Sequence, residues 1–324
     1  MMKGLRRELH ETVSTTCGRP LNGNDFCERG TLGVERGAAG VQQAHVESTT
    51  MHQTGHHHQP LPPPSAEATD GYLASVVEAL GDTPETVIAL QFLREGTCEV
   101  LCVGDPADFE GIIIQSLDMP TEPMAFGNSA EAIGGLVPHL TGWSCLNVPA
   151  HLADALIEPV ASAAGTSDMR MMDDVYHLLT RRVPPMSTPS VRILTPADRD
   201  LVAAASPALI GNGVDRLLMT LEHGHVAGAV REGELVALAY TFATSERHAD
   251  IGVVTYPQWR GQGLATAVTS LVAQAIQSDE RIPVWSCGGT NLASLRTAAR
   301  VGFEEVSRRV YLIPDLGEDA GSTA

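Results

Sequence analysis

The stretch best suited to chemistry is Arg260-Gly261-Gln262-Gly263-Leu264-Ala265-Thr266. An apolar, strand-like run, ADIGVVTYP, leads into it, and a long amphipathic run, GLATAVTSLVAQAIQ, leads out. Leu264, Val268, Leu271, Val272, Ala275 and Ile276 recur at helical spacing, so a helix begins at this turn. The first N–H groups of a helix have no partner inside it and carry the positive end of the helix dipole. They suit a pyrophosphate. Gly261 and Gly263 let phosphates approach the main chain closely, and Arg260 adds charge at the rim. A dinucleotide-binding turn would require a third small residue three places after Gly263 and an acid about 20 residues later. Thr266 stands at that third position, and Asp279 comes too early.

The turn resembles the acyl-CoA-binding signature of the GNAT acetyltransferase superfamily, Gln/Arg-x-x-Gly-x-Gly/Ala, through Arg260, Gly263 and Ala265. A second element of that family, Asn-x-x-Ser/Ala ending in Gly-Phe, is matched by Asn291, Ser294, Gly302 and Phe303. Strand, turn, helix, strand and helix follow in the matching order. The resemblance covers about residues 191–314 and is similar to a bacterial branch that includes antibiotic self-resistance acetyltransferases.

The resemblance implies acetyl-CoA as donor, wedged between two splayed parallel strands. The first would be Ile251 to Tyr256, with Val253, Val254 and Thr255 along the pantetheine arm, and PVWSC would be its neighbour. Residues Arg260 to Thr266 would cradle the pyrophosphate, and Asn291 and Ser294 would lie beside the cofactor. A primary amine of a small molecule would attack the thioester directly. That attack needs a proton acceptor, and an N–H donor near Val254 for the developing oxyanion. Asp250 is the candidate base, since it opens the cofactor strand on one face with Gly252, Val254 and Tyr256. His248 shares that face and is the second candidate. The family usually places a tyrosine acid seven residues after the motif asparagine, where this chain has Ala298. Tyr256, Ser294 or solvent is left to protonate the thiolate. Plainer readings stand beside these: Asp250 as a strand-edge charge in a salt bridge, Gly302 and Phe303 as cap and core, and Trp259 and Trp285 as packing residues.

These residues need a mixed α/β scaffold. VRILTPADRDLVAAA predicts a strand, a Thr-Pro helix start and a helix, while ELVALAYTFAT, ADIGVVTYP, PVWSC and EEVSRRVYLI predict strands. NLASLRTAARVGF predicts a helix closed by Gly302. Upstream, GYLASVVEAL and HLADALIEPVASAAG read as helices and SAEAIGGLVPHL as a poor one. TVIALQFL, CEVLCVGD, GIIIQS, WSCLNV and MRMMDDVYHLLTRR read as strands. The expected organisation is a disordered tail over 1–65, a smaller acidic α/β domain over 66–185, the GNAT domain over 190–314 and a flexible tail over 315–324. Trp-Ser-Cys occurs at 143–145 and again at 285–287, each before a helix. The acidic domain is accordingly expected to be a degenerate GNAT-like half, without a phosphate turn.

Composition narrows the function. The 324 residues carry a net charge of -18, and residues 66–190 hold 18 acidic against 4 basic side chains. Lys3 is the only lysine. Nucleic-acid binding needs clustered Lys and Arg, so it is excluded as a general role. No apolar run approaches the ~20 residues of a membrane span, and no signal core follows the N-terminus. The six cysteines form no CxxC pair, so neither a zinc site nor a disulfide framework is expected, and a reducing cytoplasm fits. His56, His57 and His58 sit beside a proline run as a solvated linker, with no metal expected. Three functions remain: an acetyl-CoA-dependent transferase of small-molecule amines, a non-catalytic acyl-CoA-binding or regulatory protein, and a protein N-acetyltransferase. A chain truncated to begin at Ser65 is expected to keep its melting temperature and CoA binding. Thermal melts and calorimetry check this, and loss of either shows that the tail docks on the fold.

Overall fold

The computed structural model describes residues 43–45, 66–184, 190–210 and 213–315. The His56–His58 tract, most of the 1–65 segment, the proline-rich linker at 185–189 and the end of the chain lie outside these. The upstream half runs β1 (Gln43–His45), α1 (Ala66–Leu80), α2 (Val87–Glu95), β2 (Cys98–Asp105), β3 (Asp108–Ser116), β4 (Met124–Gly127), α3 (Ala130–Leu136), β5 (Leu146–Pro149), α4 (Ala153–Ala164) and β6 (Met169–Leu178). The downstream half runs β7 (Val191–Leu194), α5 (Arg199–Ala203), α6 (Pro207–Ile210), α7 (Val214–His223), β8 (Val226–Arg231), β9 (Glu234–Thr244), β10 (His248–Thr255), α8 (Leu264–Ser278), β11 (Ile282–Gly288), α9 (Leu292–Val301) and β12 (Glu304–Pro314). Among the described residues, no helix is long and apolar enough to cross a membrane.

One expectation fails. TVIALQFL is not a strand but the body of α2. Val87, Ile88, Ala89, Leu90, Phe92 and Leu93 are all buried there, and the polar face is Gln91, Arg94 and Glu95, of which TVIALQFL contains only the first. A short apolar run cannot be assigned by period alone. Gly96 decides it, closing the helix in a left-handed conformation with φ 63°. The tripeptide Gln43–His45, inside the segment expected to be disordered, pairs in parallel with β2. β4, β8 and α7 were not singled out in the sequence.

All the strands form one mixed sheet, ordered β1-β2-β3-β4-β5-β12-β6-β11-β10-β9-β8-β7. Matching β2–β6 with β8–β12 makes the ten inner strands read the same from either end. In each half two central strands are parallel, β4 with β5 and β10 with β11. In each half the last strand crosses over. β12 pairs with β5, β6 pairs with β11, and the two exchanged strands pair antiparallel in the middle. The halves thus share one sheet by reciprocal strand exchange.

Helices cover both faces. α8 and α9 pack on Ala249, Ile251, Val253, Trp285 and Cys287. Leu217, Leu218 and Leu221 of α7 pack on Leu238 and Val254 of the opposite face. α1 and α2 cover Met124 and Phe126, while α3 and α4 cover Ala125, Leu146 and Val148.

A buried polar network joins the exchanged strands. Arg309 of β12 donates from Nε to Asn147 Oδ1, and from one terminal nitrogen to the carbonyls of Ala125 and Asn147, the latter at 3.2 Å. Asn147 Nδ2 donates to Asp174 Oδ2 at 3.0 Å. The guanidinium carbon lies 4.5 Å from the Phe126 ring centroid. All three polar residues are buried. Removing one partner leaves the others buried without it, so Arg309→Ala should destabilise the fold by about 3–5 kcal/mol. Urea denaturation checks this, and a loss below about 1 kcal/mol would show that the network contributes no more than an exposed ion pair.

Candidate functional site

The site is built where two parallel strands part. β10 pairs with β9 along its whole length, down to Thr255 opposite Ala237. It pairs with β11 only at His248–Ile282, Ala249–Pro283 and Asp250–Val284. β11 runs on to Gly288, held on its other side by β6, with Gly288 opposite Asp174. Ile251–Thr255 and Trp285–Gly288 therefore face each other without a ladder, and a V-shaped gap opens past Asp250. β9 carries an extra residue there, since Asp250 opposes Ala243 and Ile251 opposes Thr241. Such a bulge bends the strand at the point where the gap begins.

The mouth of the gap leads to the glycine turn. Arg260 is exposed, and its Nε donates to the Thr255 carbonyl at 3.3 Å. Gly261 and Gly263 have φ of 77° and 75°, the left-handed region that disfavours a side chain. A Cβ on either would meet no atom within 4 Å, so both face open space. Gly263 caps α8 without any side-chain hydrogen bond. The first backbone bond of the helix is Ala267 N–H to the Gly263 carbonyl at 3.1 Å. This helix start is open, whereas Ser129 Oγ caps α3 and Asn291 Oδ1 caps α9, each at 3.1 Å. Gln262 is exposed, Ala265 and Thr266 are half-buried in the first turn, and Leu264 packs into the core. Val253 and Val254 are buried along the gap, and the buried Thr255 Oγ1 has no hydrogen-bond partner. The open dipole end, the two glycines and the unpaired strand edges fit a pyrophosphate with an amide-bearing arm.

The other expected site residues divide. The Asn291 side chain caps α9, and Ser294 Oγ accepts from the buried Trp285 Nε1 at 3.1 Å. Ala298 is fully buried in the core, so no hydroxyl stands where the family places its acid. Phe303 packs on Trp285 with ring centroids 5.6 Å apart, and Gly302 closes α9 with φ 107°. Asp250 is 3% exposed and occupies the last paired rung before the gap. His248 is equally buried, and its Nδ1 lies 2.7 Å from Asp82 Oδ1. The sequence reading did not single out Asp82. Its signal was only the turn-like Gly81-Asp82-Thr83-Pro84, which does not reveal a partner 166 residues away. Cys287, on the gap edge of β11, is no nucleophile, because burial pushes its thiol up to about 11.

The upstream half has the same parting of parallel strands. β4 and β5 pair only at Met124–Asn147. That gap is filled, because the Arg309 guanidinium donates to Ala125 on one strand and to Asn147 on the other. The helix start beside it is capped by Ser129.

Residues 220–311 match the family model described as GNAT acetyltransferase. No curated protein matches the chain. Among solved structures, a GCN5-related N-acetyltransferase-like protein from Streptococcus suis is similar at 17% identity and TM-score 0.53, over 76% of this chain and 99% of that one. A Drosophila protein is similar at 14% identity and TM-score 0.57, over 78% and 98%. A GCN5-related N-acetyltransferase from Kribbella flavida is similar at 14% identity and TM-score 0.52, over 73% and 96%. At these identities the likeness shows the fold, and it extends well beyond the downstream half. The match at 220–311, carried on a splayed strand pair and an open helix start, marks the C-terminal part of this chain as a GNAT acetyltransferase domain.

Proposed function

We propose that the protein transfers the acetyl group of acetyl-CoA to a primary amine of a small molecule. The observation that carries this reading is the contrast between the halves. The downstream gap and helix start are open, whereas their upstream counterparts are filled by Arg309 and Ser129. In this reading N–H groups of the first turn of α8 and Arg260 hold the pyrophosphate, and the gap-facing backbone of Val253 to Thr255 pairs with the pantetheine arm. When bound, the donor supplies an activated acetyl thioester. A backbone N–H near Val254 donates to the thioester oxygen as charge develops on it. Asp250 takes the proton that the amine gives up, with His248 two residues back on the same face. The excess of acidic side chains in residues 66–190 attracts cationic amines toward the shared sheet. The buried Ala298 favours a second reading, a non-catalytic acyl-CoA-binding protein. Acetyl-CoA turnover with spermidine, an aminoglycoside and a peptide separates the two, and the peptide also tests for a protein N-acetyltransferase.

Gly263→Asp places a carboxylate at the open helix start, so acetyl-CoA affinity should fall by at least ~100-fold, about 3 kcal/mol. Calorimetry on the folded variant checks this, and unchanged affinity removes the turn from the donor site. Asp250→Asn should lower turnover by ~10²–10⁴-fold, with acetyl-CoA affinity near wild type. The deficit should shrink as pH rises, because more of the amine is then neutral without help. Wild-type turnover in this variant at neutral pH removes Asp250 from the mechanism.

A further inference from the structure

The upstream half reaches into the proton chemistry at one point. Asp82 lies in the loop after α1 and grips the turn between β9 and β10. Its Oδ1 accepts from Ser245 Oγ at 2.6 Å and lies 2.7 Å from His248 Nδ1, while its Oδ2 accepts from the Arg247 backbone N–H at 2.8 Å. Ser245 Oγ also accepts from the His248 N–H at 3.0 Å. Burial pushes the Asp82 carboxyl up, but the hydrogen bonds from Ser245, His248 and Arg247 outweigh it and hold the group below its ordinary value. An ionised carboxylate only accepts, so His248 donates from Nδ1. Nε2 is then the ring nitrogen left to exchange a proton, and it takes no hydrogen bond among the described residues. His248 and Asp250 point to one face of β10, about 7 Å apart along the strand, a separation that a short chain of waters spans. A cavity of about 420 Å³, lined by Gln91, Glu95, Ser245, Glu246 and Arg281, opens beside the turn that Asp82 holds. It shares Ser245 with the Asp82 contact, while Asp250 itself is buried.

We propose that Asp82 is a positioning residue for acetyl transfer, which fixes His248 as a relay carrying the proton from Asp250 to solvent. The proposal rests on the transferase reading above. The amine nitrogen bonds to the acetyl carbon and the carbon–sulfur bond breaks. The released N–H proton goes to Asp250, then to His248 Nε2, then to water, and the CoA thiolate takes a proton from solvent. The upstream half, whose own gap is filled, thereby completes the downstream site.

The decisive variant is Asp82→Asn. The Arg247 N–H can only donate, so it claims the amide oxygen of the new side chain and turns the amide NH₂ toward His248 Nδ1. The ring is then forced to carry its proton on Nε2, the wrong tautomer for a relay. Nitrogen-15 NMR of the free protein should show His248 protonated on Nδ1 in wild type and on Nε2 in Asp82→Asn. With acetyl-CoA and whichever of spermidine, an aminoglycoside or a peptide the wild type acetylates, kcat should fall about 10²-fold, the low end for a proton-transfer group, with KM for acetyl-CoA unchanged. Imidazole buffer should restore part of it. His248→Gln keeps a donor to Asp82 but cannot carry a proton, so it should show the same deficit even if Asp82→Asn folds poorly. A merely structural latch predicts wild-type kcat in His248→Gln, and that result overturns the proposal. An unchanged tautomer in Asp82→Asn overturns the positioning role. A wild type that binds acetyl-CoA but acetylates none of the three amines overturns the transferase reading, and the relay falls with it.

Discussion

The parallel pairing of β10 with β11 ends at Asp250 and Val284, and the site follows from that ending. Two adjacent strands that stop pairing leave backbone N–H and C=O groups facing a gap, which is costly unless something else satisfies them. Here the strands cannot close because each is held from its far side. β9 holds β10 down to Thr255, and β6 holds β11 out to Gly288. β6 belongs to the upstream half, so the exchanged strand sets the width of the downstream gap. The Asn147–Asp174–Arg309 network fixes β6 against β12 and β5. A polar network in the middle of the sheet thus bears on a donor site at its flank.

The same topology occurs twice with opposite outcomes. Between β4 and β5 the exposed carbonyls of Ala125 and Asn147 accept from Arg309, a side chain delivered by the exchanged β12. Met124, at the one upstream rung, is the counterpart of Asp250. In the upstream half the helix start is capped, the rung carries a thioether in place of a carboxylate, and the gap is filled by a cation. Its contributions are structural: a strand for the shared sheet, and Asp82 against the β9–β10 turn.

Much of the downstream half was legible because its signals are local. The apolar run of ADIGVVTYP, the period of α8, and the left-handed Gly261, Gly263 and Gly302 all act within a few residues. The upstream half was less legible. The polar face of α2 lies mostly at its end, in Arg94 and Glu95, so TVIALQFL alone shows little period, and β4 is only four residues long. Asn291 and Ser294 were read as cofactor neighbours, and what the sequence did not show is that their side chains also cap α9 and hold Trp285. Strand exchange left no local trace, since β6 and β12 look like ordinary terminal strands until their partners are known. Neither the role of Arg309 in an adjacent gap nor that of Asp82 beside His248 follows from spacing.

The most direct test is the stoichiometry of acetyl-CoA binding to the full chain by calorimetry. An open downstream gap beside a filled upstream one requires one acetyl-CoA per chain. Two molecules per chain would show that Arg309 does not close the upstream gap, and none would show that the parting of β10 from β11 is not a donor site.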